Sequence, residues 1–232
     1  MPKDSVVNLV PHPNGSENTL PSHVLLDAGG TSLLLDVQGG PQPVPTYWGP
    51  RLPWETPQTI DGVLAASRAQ RVSGGTDTPA PLTLLPQQSS GWLDTLGLSG
   101  HRKGAGFASK LTTVAVESDG ESATIWLQDL EMALALKIEL AIEPSGLLRQ
   151  RLTLTNEGDD DYTLDNLSMV FPLPPSATEV LDTTGRHLRE RAPQRHDITN
   201  GTYQRESFRG RPGADYTLFM AAGPKGFGFE HG

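Results

Sequence analysis

From Ala133 to Glu143 the chain alternates with period two over eleven residues. Leu134, Leu136, Ile138, Leu140 and Ile142 hold one parity, while Ala133, Ala135, Lys137, Glu139, Ala141 and Glu143 hold the other. A helix would spread those five branched side chains around its circumference; a strand places them all on one face. The segment therefore reads as a long strand with one buried and one half-wet face. Such a strand needs a second layer to cover it.

The flanking sequence extends that strand into a sheet. Glu143-Pro-Ser-Gly146 turns, and Leu148–Thr155 continues with Leu148, Leu152 and Leu154 inward. Asn156-Glu-Gly158 turns again, and Leu167, Met169 and Phe171 alternate in the next strand. Thr112–Glu117 and Ala123–Leu127 precede them, giving an antiparallel meander. Upstream, His23–Asp27 and Thr31–Val37 flank Ala28-Gly29-Gly30, a hairpin in which glycine supplies the positive φ of a tight turn. Gln38–Pro57 contains six prolines with Tyr47, Trp48 and Trp54, which predicts a structured loop or edge strand. Only Thr59–Arg71 has helical spacing, with Ile60, Val63 and Leu64 on one face. Tyr216–Ala222 and Gly226–Glu230 read as a last strand pair.

With no βαβ alternation, the expected fold is all-β: a large antiparallel β-sandwich with at most one or two short helices. Glycine and proline support it, since 25 + 20 = 45 of 232 residues, or 19%, exceed an average of about 12%. Residues 1–22 read as an N-terminal arm, and 23–232 as the sandwich domain.

Charge and composition narrow the function. The balance of 18 basic and 27 acidic residues leaves −9, which repels a phosphate backbone and argues against a nucleic-acid partner. Cysteine is absent, removing disulfides, thiolate metal sites and thiol nucleophiles. The six histidines show no pair at metal-ligand spacing, so neither metal nor cofactor is expected. Asp159-Asp160-Asp161 lacks the spaced ligands of a calcium loop and reads as a solvated turn. The longest apolar stretch, Met132–Ile142, is interrupted by Lys137 and Glu139, and no leader is visible, so a cytoplasmic protein with no membrane partner is expected.

Two stretches could carry function. In Tyr47-Trp-Gly-Pro-Arg-Leu52 an aromatic pair followed by Arg can stack on a sugar ring while the guanidinium forks to a hydroxyl; the same residues could equally cap the core. Tyr47, Trp48, Arg51 and Trp54 are therefore candidate substrate-rim residues. From Gly185 to Arg211 lie seven arginines, no lysine and three acids (Glu190, Asp197, Glu206), a local net charge of 7 − 3 = +4. Arginine without lysine suggests fixed two-pronged contacts to carboxylates of another domain or subunit, against the alternative of a salt-bridged solvent face. Arg189, Arg191, Arg205, Glu206, Arg209 and Arg211 are the candidate contact residues.

These stretches, with Leu96-Gly-Leu-Ser-Gly-His-Arg-Lys-Gly104, resemble three blocks of glycoside hydrolase family 36, chiefly bacterial α-galactosidases. Tyr47-Trp-Gly49 resembles the family's Tyr-Trp-Gly segment, and residues 96–104 its Pro-Gly-Leu-x-Gly-His-Arg-x-Gly loop. Arg189-Glu-Arg191 and Arg205-Glu-Ser-Phe-Arg-Gly-Arg211 resemble its Arg-Glu-Arg and Glu-Ser-Arg-Arg-Gly-Arg block. Phe208 and Ala214 depart from the usual Arg and His. The resemblance implies an N-terminal β-supersandwich that precedes a catalytic (β/α)₈ barrel in an enzyme cleaving terminal α-linked galactose with retention. Retention needs two carboxylates ~5–5.5 Å apart, and in the family both lie on the barrel. No catalytic residue is thereby implied in this chain. Its expected partners are the missing barrel, further copies of the full-length enzyme and an α-galactoside. The alternative is a free-standing carbohydrate-binding β-sandwich built around Trp48.

Overall fold

The structure is a computed structural model and describes residues 20–53, 56–70, 79–206, 213 and 219–228. The chain divides into two compact units, Met1–Pro172 and Leu173–Gly232.

In the first unit, β1 (His23–Ala28), β2 (Thr31–Asp36) and β3 (Val44–Pro50) form one antiparallel sheet in the order β1-β2-β3. The expected Gly29-Gly30 hairpin joins β1 to β2, with φ +56 and +78 at the two glycines. The proline-rich β3 takes the sheet edge, where its missing amide donors cost no ladder bonds. A four-stranded meander follows the order β5 (Thr112–Ser118), β6 (Ser122–Asp129), β7 (Leu134–Ile142) and β8 (Leu148–Asn156). The register pairs Ile125 with Ile138 and Ile138 with Leu152, placing the predicted apolar parity on one face.

That face meets the β1–β2 hairpin. Val24, Leu26, Leu33 and Leu35 join Ile125, Leu127, Leu134, Leu136, Ile138, Leu140 and Ile142 in one buried core, also filled by Leu84, Leu85, Leu98 and Leu111. Each fully buried branched side chain contributes about 1.5–3 kcal/mol, so this cluster dominates the unit's stability. A smaller cluster lies on the other side of β2, where Leu34 meets Ile60 and Leu64 of helix α1 (Pro57–Ser67).

Helix α1 starts two residues earlier than its apolar spacing suggests and ends four residues sooner. Thr56 caps it by accepting from the Thr59 amide at 3.3 Å, and Pro57 is tolerated in the first turn, where no amide donor is needed. It stops because Arg68 is extended (φ −68, ψ 132) and its side chain is held by Asp36.

Strand β9 (Thr163–Leu167) ends before Met169 and Phe171, correcting the expected longer strand. It leaves the meander to pair with β4 (Leu98–His101), and beyond it the Val170 amide bonds the Leu84 carbonyl. Met169 and Phe171 still pack on the main core.

In the second unit β10 (Glu179–Arg186) lies between β11 (Arg189–Asp197) and β12 (Met220–Gly223). The arginine-rich stretch is thus a hairpin over much of its length. It carries no apolar alternation to mark it, because β11 is exposed over most of its length. The final strand pair is also corrected: β12 pairs with β10, and Pro224–Gly226 makes a turn. Residues 216–218 and 229–230 of the two expected runs lie outside the described residues, as do residues 1–19 of the 1–22 arm.

Candidate functional site

On β3 the Tyr47 and Trp48 side chains take opposite faces. Tyr47 packs with the Leu34–Ile60–Leu64 cluster, and its hydroxyl donates to the Pro50 carbonyl at 2.6 Å. Trp48 packs on the main core, meets Phe171 edge-on at 5.5 Å, and donates its indole N–H to the Pro172 carbonyl at 2.7 Å. Arg51 pairs with Asp27 at 3.0 Å and remains largely exposed. Trp54 lies outside the described residues. The two aromatics are therefore not stacked side by side on one open surface, and both serve packing.

Beside this strand, a cavity of about 500 Å³ is lined by Val44, Pro45, Pro81, Pro172 and the Asp36–Arg68 pair. Arg68 places Nε 2.6 Å from Asp36 Oδ2 and Nη2 2.8 Å from Oδ1. That fork fully engages a carboxylate that is itself 2% exposed.

The 96–104 loop is a clip. Gly100 lets β4 approach β9 so closely that a Cβ there would sit 2.5 Å from the Thr163 carbonyl and 2.5 Å from the Tyr162 hydroxyl. Arg102 then reaches across the β6–β7 and β8–β9 turns. Its Nη2 donates to the Met132 carbonyl at 2.8 Å and to Asn156 Oδ1 at 2.5 Å, and its Nη1 to the Asp160 carbonyl. Tyr162 lies under the guanidinium at 5.7 Å. Lys103 bonds Asp160 at 2.8 Å and holds that carboxyl below the usual range. The solvated acidic turn thus anchors this clip, a role its composition did not suggest.

In the second unit the arginines divide by role. Arg205 turns onto the buried Asp182, Nε to Oδ2 2.7 Å, and the Tyr203 hydroxyl reaches the same oxygen at 2.5 Å. His196 stacks on Tyr203 at 4.8 Å. Burial pushes the Asp182 carboxyl up, but hydrogen bonds from Tyr203, Arg205 and Gln194 outweigh it and hold it below the ordinary aspartate value. Arg195 is paired with Glu179, donates to the Phe227 carbonyl at 2.7 Å, and depresses the Glu179 carboxyl. Arg186, Arg189 and Arg191 stand exposed along the hairpin end, where Leu188 and Arg191 have positive φ (68 and 57). Glu206 accepts from Gln204, while Arg209 and Arg211 lie outside the described residues.

Sequence reading missed Asp36, Arg68, Glu179 and Asp182. Nothing local marks a carboxylate whose partner lies 16 to 32 residues away. Among the described residues no cluster of three or more His, Asp or Glu could hold a metal. No helix of the described residues is long and apolar enough to cross a membrane.

These features define a β-sandwich whose charged groups, where buried, secure the fold. The chain belongs to the family described as the glycosyl hydrolase family 36 N-terminal domain, whose profile matches residues 41–232. It is 30% identical over 186 residues to an α-galactosidase of Escherichia coli, covering 80% of this chain but 26% of that protein. Its fold resembles a substituted form of the family 36 α-galactosidase AgaA of Geobacillus stearothermophilus solved with 1-deoxygalactonojirimycin. That match has a TM-score of 0.73 at 18% identity, over 88% of this chain and 32% of the other. An α-galactosidase of Lactobacillus brevis matches with a TM-score of 0.72 at 17% identity, over 86% and 30%. The chain thus spans about a quarter to a third of the length of these relatives.

Proposed function

We propose that the chain is the N-terminal, non-catalytic domain of a cytoplasmic, retaining α-galactosidase that hydrolyses terminal α-linked galactose. One observation carries this reading: the family profile covers residues 41–232, while the relatives extend to three or four times the matched length. The buried carboxylates support it. Asp36, Asp182 and Glu179 are each bound to an arginine, and Asp129 accepts the Lys110, Glu131 and Met132 amides. A carboxylate so engaged is a poor nucleophile or proton donor.

In this reading the domain packs on the barrel and takes part in assembly of the oligomer. Arg189 and Arg191, on the exposed hairpin, meet carboxylates of the barrel or a neighbouring subunit, with Arg209 and Arg211 extending the same basic block. Arg205 and Glu206 would orient the segment leading to that block. Arg51, with Tyr47, Trp48 and Trp54 around it in sequence, contributes to the rim of the substrate pocket. The test is p-nitrophenyl-α-galactoside hydrolysis by this chain and by a longer polypeptide continuing into the barrel. Activity in the longer polypeptide alone is expected. Turnover by the 232-residue chain itself would overturn the reading.

A further inference from the structure

The core uses only the inner face of the β5–β8 meander. Its outer face carries register rows in which Trp126 pairs with Lys137 and Lys137 with Thr153, then Thr124 with Glu139 and Glu139 with Arg151. Ala115 of β5, the register partner of Trp126, is 8% exposed, and Ala135 of β7 is 7% exposed. Both are small residues on the outer side of the sheet, so a large neighbour must cover them. Trp126, half-buried, is the register partner of Ala115 and lines a hollow together with Ala135.

Two hollows open along this face. One of about 180 Å³ is lined by Trp126, Ala135, Lys137, Thr153 and Thr155. The other, of about 460 Å³, is lined by Thr124, Glu139, Ala141, Arg149 and Arg151. Between them stands the Lys137–Glu139 ion pair at 3.2 Å. Ala135 and Ala141, one lining each hollow, are six residues apart on β7, about 20 Å along a strand.

We propose that this outer face binds a neutral oligosaccharide laid along β7. An indole offers an apolar plane with a polar edge, the shape that stacks on the C–H face of a pyranose ring. Around it, Lys137, Arg151, Thr153 and Glu139 mix donors and acceptors, as a chain of hydroxyl groups requires. The ligand is neutral because the charges nearly balance: Lys137 is paired with Glu139 and Arg149 with Glu143, leaving Arg151 as the one cation of the face without an acceptor among the described residues. Two shallow hollows spaced along a strand fit a ligand several rings long better than a compact one. The site is separate from any barrel pocket and does not depend on the glycosidase reading. It also differs from a sugar site built on Trp48, whose indole is already bound to Pro172.

The test follows the indole N–H resonances of the four tryptophans in the 232-residue chain during titration with stachyose or maltotetraose. One indole signal is expected to shift saturably with a Kd of ~1 mM and to be the signal that Trp126→Phe removes. Arg151→Ala, a substitution at an exposed position, should weaken binding about fivefold with all four indole signals retained. The proposal is overturned if no indole signal shifts with either sugar, or if the shifting signal survives Trp126→Phe. It is equally overturned if Arg151→Ala binds like the parent, or if only an acidic oligosaccharide such as tetragalacturonate produces the shift. Because the readout is binding by this chain, failure of α-galactosidase activity in a longer polypeptide leaves it unaffected.

Discussion

Asp36 and Arg68, thirty-two residues apart, meet in a two-pronged ion pair that ties the last residue of β2 to the residue that ends α1. The carboxylate is almost wholly buried and the guanidinium half-exposed. Removing the arginine would leave a charge in the protein interior without its partner. A fully buried broken pair costs ~3–5 kcal/mol, and exposure of Arg68 reduces this through solvent screening. Arg68→Ala should therefore destabilise the first unit by about 2 kcal/mol, read as a lower urea midpoint at pH 7. Arg68→Lys should recover less than half, because an ammonium cannot make the fork. An unchanged midpoint in both variants would show the pair to be energetically neutral.

Gly100 marks where β4 and β9 come closest. A methyl group there would overlap both the Thr163 carbonyl and the Tyr162 ring. Gly100→Ala should cost about 2–3 kcal/mol through overpacking, visible in the thermal midpoint. Gly104, with open space around its Cα but φ +76, should lose only about 1 kcal/mol on the same substitution. Equal losses at the two sites would contradict the close approach.

Arg102 is expected to behave as structure. Its bonds to the Met132, Asp160 and Asn156 oxygens hold two turns against each other. Arg102→Ala should cost about 2 kcal/mol and speed amide hydrogen exchange in the β6–β7 and β8–β9 turns. Arg102→Lys should resemble the alanine variant, since one ammonium cannot span three acceptors held by a planar fork.

Acid should weaken the second unit through Asp182 and Glu179, both held below their ordinary values. Ionised in the fold, they lend their full stability above the unfolded values of ~4. That contribution is lost as pH falls below ~4 and through the lowered folded values. Urea unfolding followed by the ring resonances of Tyr203 between pH 7 and pH 3 should show this decline. Asp182→Asn should lower stability at neutral pH and flatten the acid slope; an unaltered slope would assign the acid sensitivity elsewhere.

The parts of the fold legible in sequence were those in which burial imposes a period. The five branched residues of β7 fixed its inner face, and Gly29-Gly30 fixed the first hairpin. Ile60 and Leu64 marked the buried side of α1, although its end depended on Asp36, which no local pattern could supply. β11 was illegible for the opposite reason, because an exposed strand has no inside to alternate with. Among candidate site residues, motif spelling identified segments but not directions. Trp48 proved to face the core and Arg205 to face Asp182, while Trp126, absent from every motif, lines a hollow on the outer face of the meander.

The pairing of β4 with β9 has a consequence for how the first unit is made. Every strand of the β5–β8 meander touches its sequence neighbour and can zip by short-range steps. By contrast, the bond from Asn166 Nδ2 to the Leu96 carbonyl joins residues 70 apart and encloses the whole meander. Closing so long a loop loses chain entropy that only an already assembled sheet can offset. The glycine and arginine of the 96–104 segment thus act as a latch at the end of assembly. Substitutions there should hasten unfolding while leaving the refolding rate nearly untouched, whereas damage to Ile138 should slow refolding itself.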